Sequence, residues 1–239
     1  MSKISVFPFP TRELANERIK LVPFNPDHHG GTFFRHITPA LFENMSIGPW
    51  KSISEFKSAF HNGPDRHILS FDNPESFAFA IIDKTRPPSS DDIDGELAGA
   101  ISYINTSATN LCTEIGFVVV LPPYQRSHVA INAAGLMVQN VFESPDNGGL
   151  GLCRAHWKAS TDNPASSRLA EKVGFEKIGV TKWHMRFPKG AIKGKIGNGR
   201  GLPPGSDPED VWRDSVELTL SWEDWQNGAA EKAKIAMAR

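Results

Sequence analysis

Apolar and polar positions alternate at two periods along the chain, and the changes of period outline its elements. At 18–24, Ile19, Leu21 and Pro23 alternate with Arg18, Lys20 and Val22, the pattern of a strand. Between 27 and 62 the spacing turns helical but broken: Phe33, Phe34, Ile37, Leu41 and Phe42, then Pro49-Trp50, then Ile53, Phe56 and Phe60. Two short helices with aromatic faces laid on a sheet are predicted there, with Ser52 or Ser54 capping the second. Residues 77–83 and 97–104 read as strands joined through the loop chemistry of Pro87-Pro88-Ser89-Ser90-Asp91-Asp92, a hairpin pattern.

At 115–121 the alternation stops, and an unbroken apolar, β-branched run predicts a strand covered on both faces. Pro122 and Pro123 end it, because neither can donate to a ladder. Ile131, Ala134, Val138, Val141 and Phe142 then recur at helical spacing, widened by Ala133, Leu136 and Met137. The turn at 125–130 therefore presents free backbone N–H groups at a helix N-terminus, which stabilises an anion by about 0.3–1 kcal/mol. An ordinary helix start capped by Ser127 fits the same residues.

Further along, 152–159 alternates, with Cys153, Ala155, Trp157 and Ala159 on one face and Arg154, His156 and Lys158 on the other. Asn163 and Pro164 suit the cap and first position of a helix on which Ala165, Leu169 and Val173 share a face. Gly174 stands where a left-handed cap is wanted, and Phe175 can fold back over the last turn. Residues 176–183 and 216–220 are further strands. The Gly-, Pro- and Lys-rich stretch 188–210, with Lys189, Lys193, Lys195 and Arg200, is expected to be a mobile solvated insertion, its basic character leaving phosphate binding open. Residues 1–16 read as an extended arm, and 226–239 as a frayed helical tail. The sheet is thus antiparallel before Glu114 and gains a crossover helix after it, a mixed α/β arrangement.

Composition changes this picture little. A length of 239 residues is compatible with one domain plus elaborations or two small ones, and 39% hydrophobic with 22% charged residues supports an ordinary core. A formal charge of -1 leaves no global footprint for nucleic acid or an anionic membrane. Cys112 and Cys153 are too few for a disulfide framework or a thiolate zinc site, and a reduced compartment is the default. No apolar run reaches membrane-spanning length and the N-terminus lacks a signal-peptide core, so a cytoplasmic protein is expected.

The strand Glu114-Ile115-Gly116-Phe117-Val118-Val119, the turn opening at Gln125-Arg126, and the Asn163-x-x-Ser166 helix ending Leu169-Ala170-Glu171-Lys172-Val173-Gly174-Phe175 together resemble the GNAT superfamily of acyl-CoA-dependent N-acyltransferases. The RimJ/RimL-like, ribosomal-protein N-terminal acetyltransferase branch is the nearest. Arg213-Asp214-Ser215 and Trp222-Glu223-Asp224-Trp225 carry the same likeness. The resemblance implies an α/β (α+β) GNAT fold, a mixed, mostly antiparallel twisted sheet flanked by helices. It would form a single domain over 17–225, with 188–210 inserted between the last strands.

It also implies acetyl-CoA as co-substrate, an amine acceptor, and no metal, nucleic acid or membrane, in a monomer or homodimer. On that likeness the pantetheine contacts fall on Phe117, Val118, Val119 and Val120, and the pyrophosphate on Gln125, Arg126, Ser127, His128, Val129 and Ala130. Asn163 and Ser166 would approach the far side of the cofactor. The chain departs from the family's Gln/Arg-x-x-Gly-x-Gly/Ala turn, because His128 stands at the first Gly position while Ala130 keeps the last. His128 either donates to the pyrophosphate or merely tolerates the turn. The tyrosine that many relatives use to protonate the departing thiolate is replaced by Leu169 or Ala170. Ser166 is the substitute acid, and Tyr103 and Tyr124 are the only tyrosines.

The acceptor amine must be neutral to attack. Deprotonation at pH 7 costs about 1.4 kcal/mol for an α-amine and about 4.6 kcal/mol for a lysine. Glu114 is the candidate base, through a water, with His156 and His184 as runners-up. A backbone N–H at Val119 or a neighbour would hold the developing oxyanion. Acetylation of a peptide N-terminus or small amine is the leading expectation. A detoxifying or metabolic small-amine acetyltransferase, or a degenerate CoA-binding relative without turnover, are the alternatives.

Overall fold

A computed structural model describes residues 6–61, 69–187 and 195–239. Strands β1 (Leu14–Ala15) and β2 (Ile19–Pro23) are followed by helices α1 (Gly30–His36) and α2 (Ile53–His61), then β3 (Phe77–Asp83), β4 (Glu96–Ser107) and β5 (Cys112–Val120). Helix α3 (Val129–Phe142) leads to β6 (Arg154–Ser160), α4 (Pro164–Lys172), β7 (Glu176–Phe187) and β8 (Val211–Ser221). Two further helices, α5 (Trp222–Asp224) and α6 (Ala230–Ala238), complete the order.

The eight strands form one sheet in the order β1-β2-β3-β4-β5-β6-β8-β7. All neighbours are antiparallel except β5 and β6, which α3 joins as a parallel pair. The expected change of topology at Glu114 therefore occurs, and for the expected reason: a parallel neighbour needs a crossover helix.

Each face of the sheet carries its own core. On one side α3 is almost wholly buried and packs with Ile115, Trp157 and Phe175. On the other, the broken helical stretch supplies an aromatic cluster in which Phe33 stacks on Phe56 at 5.3 Å and Phe24 on Phe60 at 5.2 Å. Each fully buried ring contributes roughly 1.5–3 kcal/mol.

Two expectations need correction. The residues after Trp225 are not a frayed tail: Ala233 of α6 is fully buried, and Met237 lies against Gly135 of α3, where a Cβ would meet its sulfur at 2.4 Å. Nor is the described part of the basic insertion free in solvent. Lys195 Nζ donates to the Phe42 and Ile47 carbonyls at 2.5 and 3.0 Å, Ile196 N–H to Glu43 O, and Asn198 N–H to Trp212 O. Lys189 and Lys193 lie outside the described residues.

Candidate active site

Residues 112–114 of β5 pair with 154–156 of β6, the last pair being Glu114 with His156, and there the two strands part. From Ile115 onward the β5 edge facing β6 has no strand partner, while its other edge stays paired to β4. A cavity of about 740 Å³ opens at this parting. Gly116, Phe117, Val118, Val119 and Val120 line it, as do Gln125, Arg126 and Ala130 of the turn and Asn163 and Ser166 of α4.

A one-residue bulge shapes that edge. The register to β4 shifts between Ser102 paired with Gly116 and Ala100 paired with Val119, and Phe117 takes φ +48°. Before the bulge Ile115 points to the α3 core, and after it Phe117, Val119 and Leu121 point to the aromatic core. The closest approach is at Gly99, paired with Val120 just past the bulge, where a Cβ would lie 2.1 Å from Val119 O, so only glycine fits there.

The turn after β5 offers donors. Gln125 N–H is bonded to Pro122 O and Val129 N–H to Ser127 Oγ, whereas Arg126, Ser127, His128, Ala130 and Ile131 direct no N–H to a protein acceptor. Arg126 is the turn residue in left-handed conformation, at φ +58°. His128 has φ -68°, so the place of the family's glycine needs no unusual backbone here. Its ring turns away from the cavity, with Nε2 3.1 Å from Asp83 Oδ1 at the end of β3. Ser127 donates its hydroxyl to Tyr124 O, and Ser127, His128 and Val129, expected at the pyrophosphate, are not among the residues that line the cavity.

Glu114 lies on the opposite wall, only 9% exposed at its side chain. Burial raises its pKa above the ordinary carboxylate value; the Asn105 hydrogen bond and the Lys158 and Arg213 charges pull it down, Glu217 pushes it up, and burial prevails. Asn105 Nδ2 donates to Glu114 Oε2 at 3.0 Å, and Lys158 Nζ is 3.8 Å away. Asn105 holds φ +50° to do so, which costs roughly 1 kcal/mol or more and aims the amide. Sequence reading missed Asn105. An Asn nine residues before a Glu is no signal until the β4–β5 hairpin places them together.

Ser166 Oγ accepts from Trp157 Nε1–H at 2.9 Å, which leaves the hydroxyl proton available to the cavity. Asn163 caps α4 as expected, its Oδ1 accepting from Ser166 N–H at 3.2 Å. Both tyrosines are placed elsewhere. Tyr103 is in the core, donating to Met137 O, and Tyr124 donates to Glu96, each with its pKa raised by burial. His156 lies outside the cavity, accepting from Arg154 Nε. His184 lines it, with Nδ1 2.9 Å from Ser215 Oγ, and burial lowers its pKa.

The rest of the cavity wall comes from segments far apart in the sequence. Ala40, Leu41, Asn44, Met45, Ser46 and Ile47 form one wall. Lys195 ties that wall through the two carbonyl bonds, and Arg213 Nη1 donates to Asn44 O at 2.7 Å. Asp214, beside it, accepts from Trp183 N–H, Asn198 Nδ2 and Arg200 Nε, joining β7, β8 and the insertion. Among the described residues there is no group of three or more His, Cys, Asp or Glu suited to a metal, and no helix long and apolar enough to cross a membrane.

An open strand edge, a donor-rich turn and an enclosed carboxylate form a cleft suited to a long, phosphate-ended thioester. Residues 18–176 match the family described as "Acetyltransferase (GNAT) domain". The chain belongs to this GNAT family of acyl-CoA-dependent acetyltransferases. It is 33% identical over 90 residues to an uncharacterized N-acetyltransferase of Bacillus subtilis, YoaA, covering 38% of this chain and 48% of that protein. The match thus spans about half the length of that relative.

Among solved structures, a GCN5-related N-acetyltransferase from Brucella melitensis superposes with TM-score 0.69 at 21% identity, over 99% of this chain and 90% of the other. Mycobacterium smegmatis RimJ in complex with CoA-disulfide gives 0.62 at 18%, over 98% and 97%. Spermidine N-acetyltransferase from Vibrio cholerae, in complex with CoA and spermine, gives 0.61 at 14%, over 89% and 100%. At these identities the likeness shows a common fold.

Proposed function

We propose that the chain transfers an acetyl group from acetyl-CoA directly to a primary amine, in the manner of the RimJ/RimL-like branch, with a peptide N-terminus or a small amine as acceptor. The observation that carries the reading is Glu114: a buried carboxylate with raised pKa, on the acceptor wall beside the open, bulged edge of β5. Acetyl-CoA supplies an acetyl group activated as a thioester. The edge from Phe117 to Val120 offers backbone groups for pantetheine, and the donors from Arg126 to Ile131, with the Arg126 charge, suit the pyrophosphate.

Glu114 takes the acceptor's proton through a water, and its raised pKa brings it closer to the working range of a base near neutrality. Asn105 fixes which oxygen faces the cavity. A backbone N–H near Val119 meets the negative charge developing on the acetyl oxygen. Ser166, its Oγ accepting from Trp157, donates a hydrogen bond to the leaving thiolate, which takes its proton from water. His128 braces the turn through Asp83 and has no direct part in this scheme.

The test is release of free CoA thiol across a panel of peptides, amino acids and polyamines, with acetylated products identified by mass spectrometry. Acetyl-CoA binding without thiol release on any acceptor would sink the transferase reading and favour a CoA-binding protein without turnover.

A further inference from the structure

We propose that the acceptor is a primary amine whose own molecule carries a carboxylate a few bonds from the nitrogen, and that Arg213 is the residue that grips it. The inference deepens the transferase reading and depends on it for the identity of the acceptor.

The charges on the cavity wall are unequal in number. Among the described lining residues Glu114 is the one carboxylate, against the cations Arg126, Lys158 and Arg213. Arg126 belongs to the phosphate turn at the cofactor end. Lys158 has a partner already, 3.8 Å from Glu114. Arg213 is left over.

Its position makes the surplus costly. Arg213 is only 8% exposed, yet no carboxylate of the described residues lies within ion-pair distance. Nε donates to Ser215 Oγ at 3.0 Å and Nη1 to Asn44 O at 2.7 Å, both neutral acceptors, and Nη2 has no acceptor among the described residues. A guanidinium carries five N–H donors, and a buried cation with an unmatched charge is strongly disfavoured unless something completes it. The planar fork suits a carboxylate, which it can hold by two parallel bonds.

Arg213 and Glu114 also face the same space. Glu114 pairs with His156 across β5 and β6, and Ser160, four residues along that strand on the same face, pairs with Ser215 of β8. Arg213 follows two residues beyond on that face. The two are close enough for each charge to influence the other's ionisation. One acceptor can therefore present its amine toward Glu114 and its carboxylate to Arg213. A polyamine would set a second cation against Arg213 and Lys158, a repulsive juxtaposition that discriminates against it.

Free α-amino acids and peptides with an acidic residue near the N-terminus share this chemistry, and matched acceptor pairs separate them. One arm compares an amino acid with its amide, the other a peptide with Asp at its second position against the same peptide with Asn, and spermidine is a third acceptor. In the wild-type protein the carboxylated member of at least one pair is expected to have a kcat/KM about 30-fold higher or more. In Arg213→Gln that ratio falls below about 3-fold while the Kd for acetyl-CoA stays within about 2-fold, and Arg213→Lys recovers part of the ratio.

The assignment is overturned if the wild-type protein acetylates amidated or polycationic acceptors as well as carboxylated ones, or if Arg213→Gln slows both members of a pair equally. Should Arg213→Gln fail to fold, the wild-type ratios alone decide. Should no acceptor turn over, the transferase reading fails separately. Calorimetry then still decides for Arg213: the carboxylated ligand binding the CoA-saturated protein no better than its amide would remove the proposal.

Discussion

The half of the cleft that we assign to the cofactor and the half that we assign to the acceptor are built by different means. The cofactor half is one continuous stretch, from β5 through the turn to α3, and it works with backbone: an unpaired strand edge and N–H groups without acceptors. The acceptor half draws single side chains from 40–47, Asn105, Lys158, His184 and Arg213, with Lys195 bonded to the carbonyls of Phe42 and Ile47. Backbone recognition tolerates exchange of side chains, and His128, at φ -68° with its ring turned to Asp83, illustrates it. Side-chain recognition does not, and the acceptor half is where substitutions should be felt most selectively.

The sharpest way to break this contrast is Glu114→Gln. Loss of the base is expected to lower kcat by about 10²–10⁴ with little change in acetyl-CoA affinity, measured by stopped thiol-release assays and calorimetry. In the wild-type protein kcat should fall as pH drops through the raised Glu114 pKa, because the carboxylate must be ionised, and that acidic limb should vanish in the variant. Stability runs the other way. Burial favours the protonated form, so ionised Glu114 costs the fold stability above its unfolded pKa of about 4.3. Glu114→Gln should therefore melt at pH 7.5 no lower than the wild type. A large drop in melting temperature would make Glu114 structural.

Arg126→Glu comes next and attacks the other half. Reversing the charge at the phosphate turn should weaken acetyl-CoA by roughly 10-fold or more in low salt and less at high ionic strength, where screening shortens the reach of the charge. Acceptor KM should hardly move.

A smaller and opposite split is expected for Lys195→Met. Burial and the Arg213 charge lower the Lys195 pKa to about 8, while two carbonyls hold its ammonium in place over the wall at 42–47. Removing it should raise acceptor KM by about 3- to 10-fold and leave the acetyl-CoA Kd unchanged, since hydrogen bonds to a charged group contribute about 1.5–3 kcal/mol when buried and less at half exposure. Equal loss on both substrates would erase the distinction between the halves.

The smallest effect belongs to His128→Gly. With the ring directed to Asp83, acetyl-CoA affinity should change less than about 3-fold, and the melting temperature should fall by a few degrees as the partly buried pair is lost. A marked gain in affinity would mean that the side chain obstructs the turn.

The same contrast explains what the sequence disclosed. The strand at 115–121, its proline stop, the α3 stripe and the Asn163–Pro164 start of α4 are local devices, and each produces a pattern within a dozen residues. The antiparallel-to-parallel change at Glu114 followed from them. Asn105 carried no such pattern, and Arg213 stood out only within a family likeness without a place at the cavity, because their positions depend on strand pairings between residues far apart in sequence. The insertion misled for a related reason: its composition is that of a solvated loop, and a single lysine, Lys195, supplies two of the bonds that dock it. The tail misled because α6 buries little more than Ala233 and Met237, too short a stripe to stand out from a polar helix.

The bulge at Phe117 also constrains how this strand can change length. Side chains on a strand point alternately, so one added residue inverts everything downstream of it. Ile115 and Val118 belong to the α3 side, and Phe117 and Val119 to the aromatic side, only because the count includes that extra position. Losing one residue at the bulge would restore strict alternation, so that Val119 and Leu121 would keep facing the aromatic core while the bulge beside the cavity disappeared. The extra position thus serves the shape of the open edge rather than the filling of either core, and a chain shortened by that one residue would keep its two cores and lose the bend in the wall of its cleft.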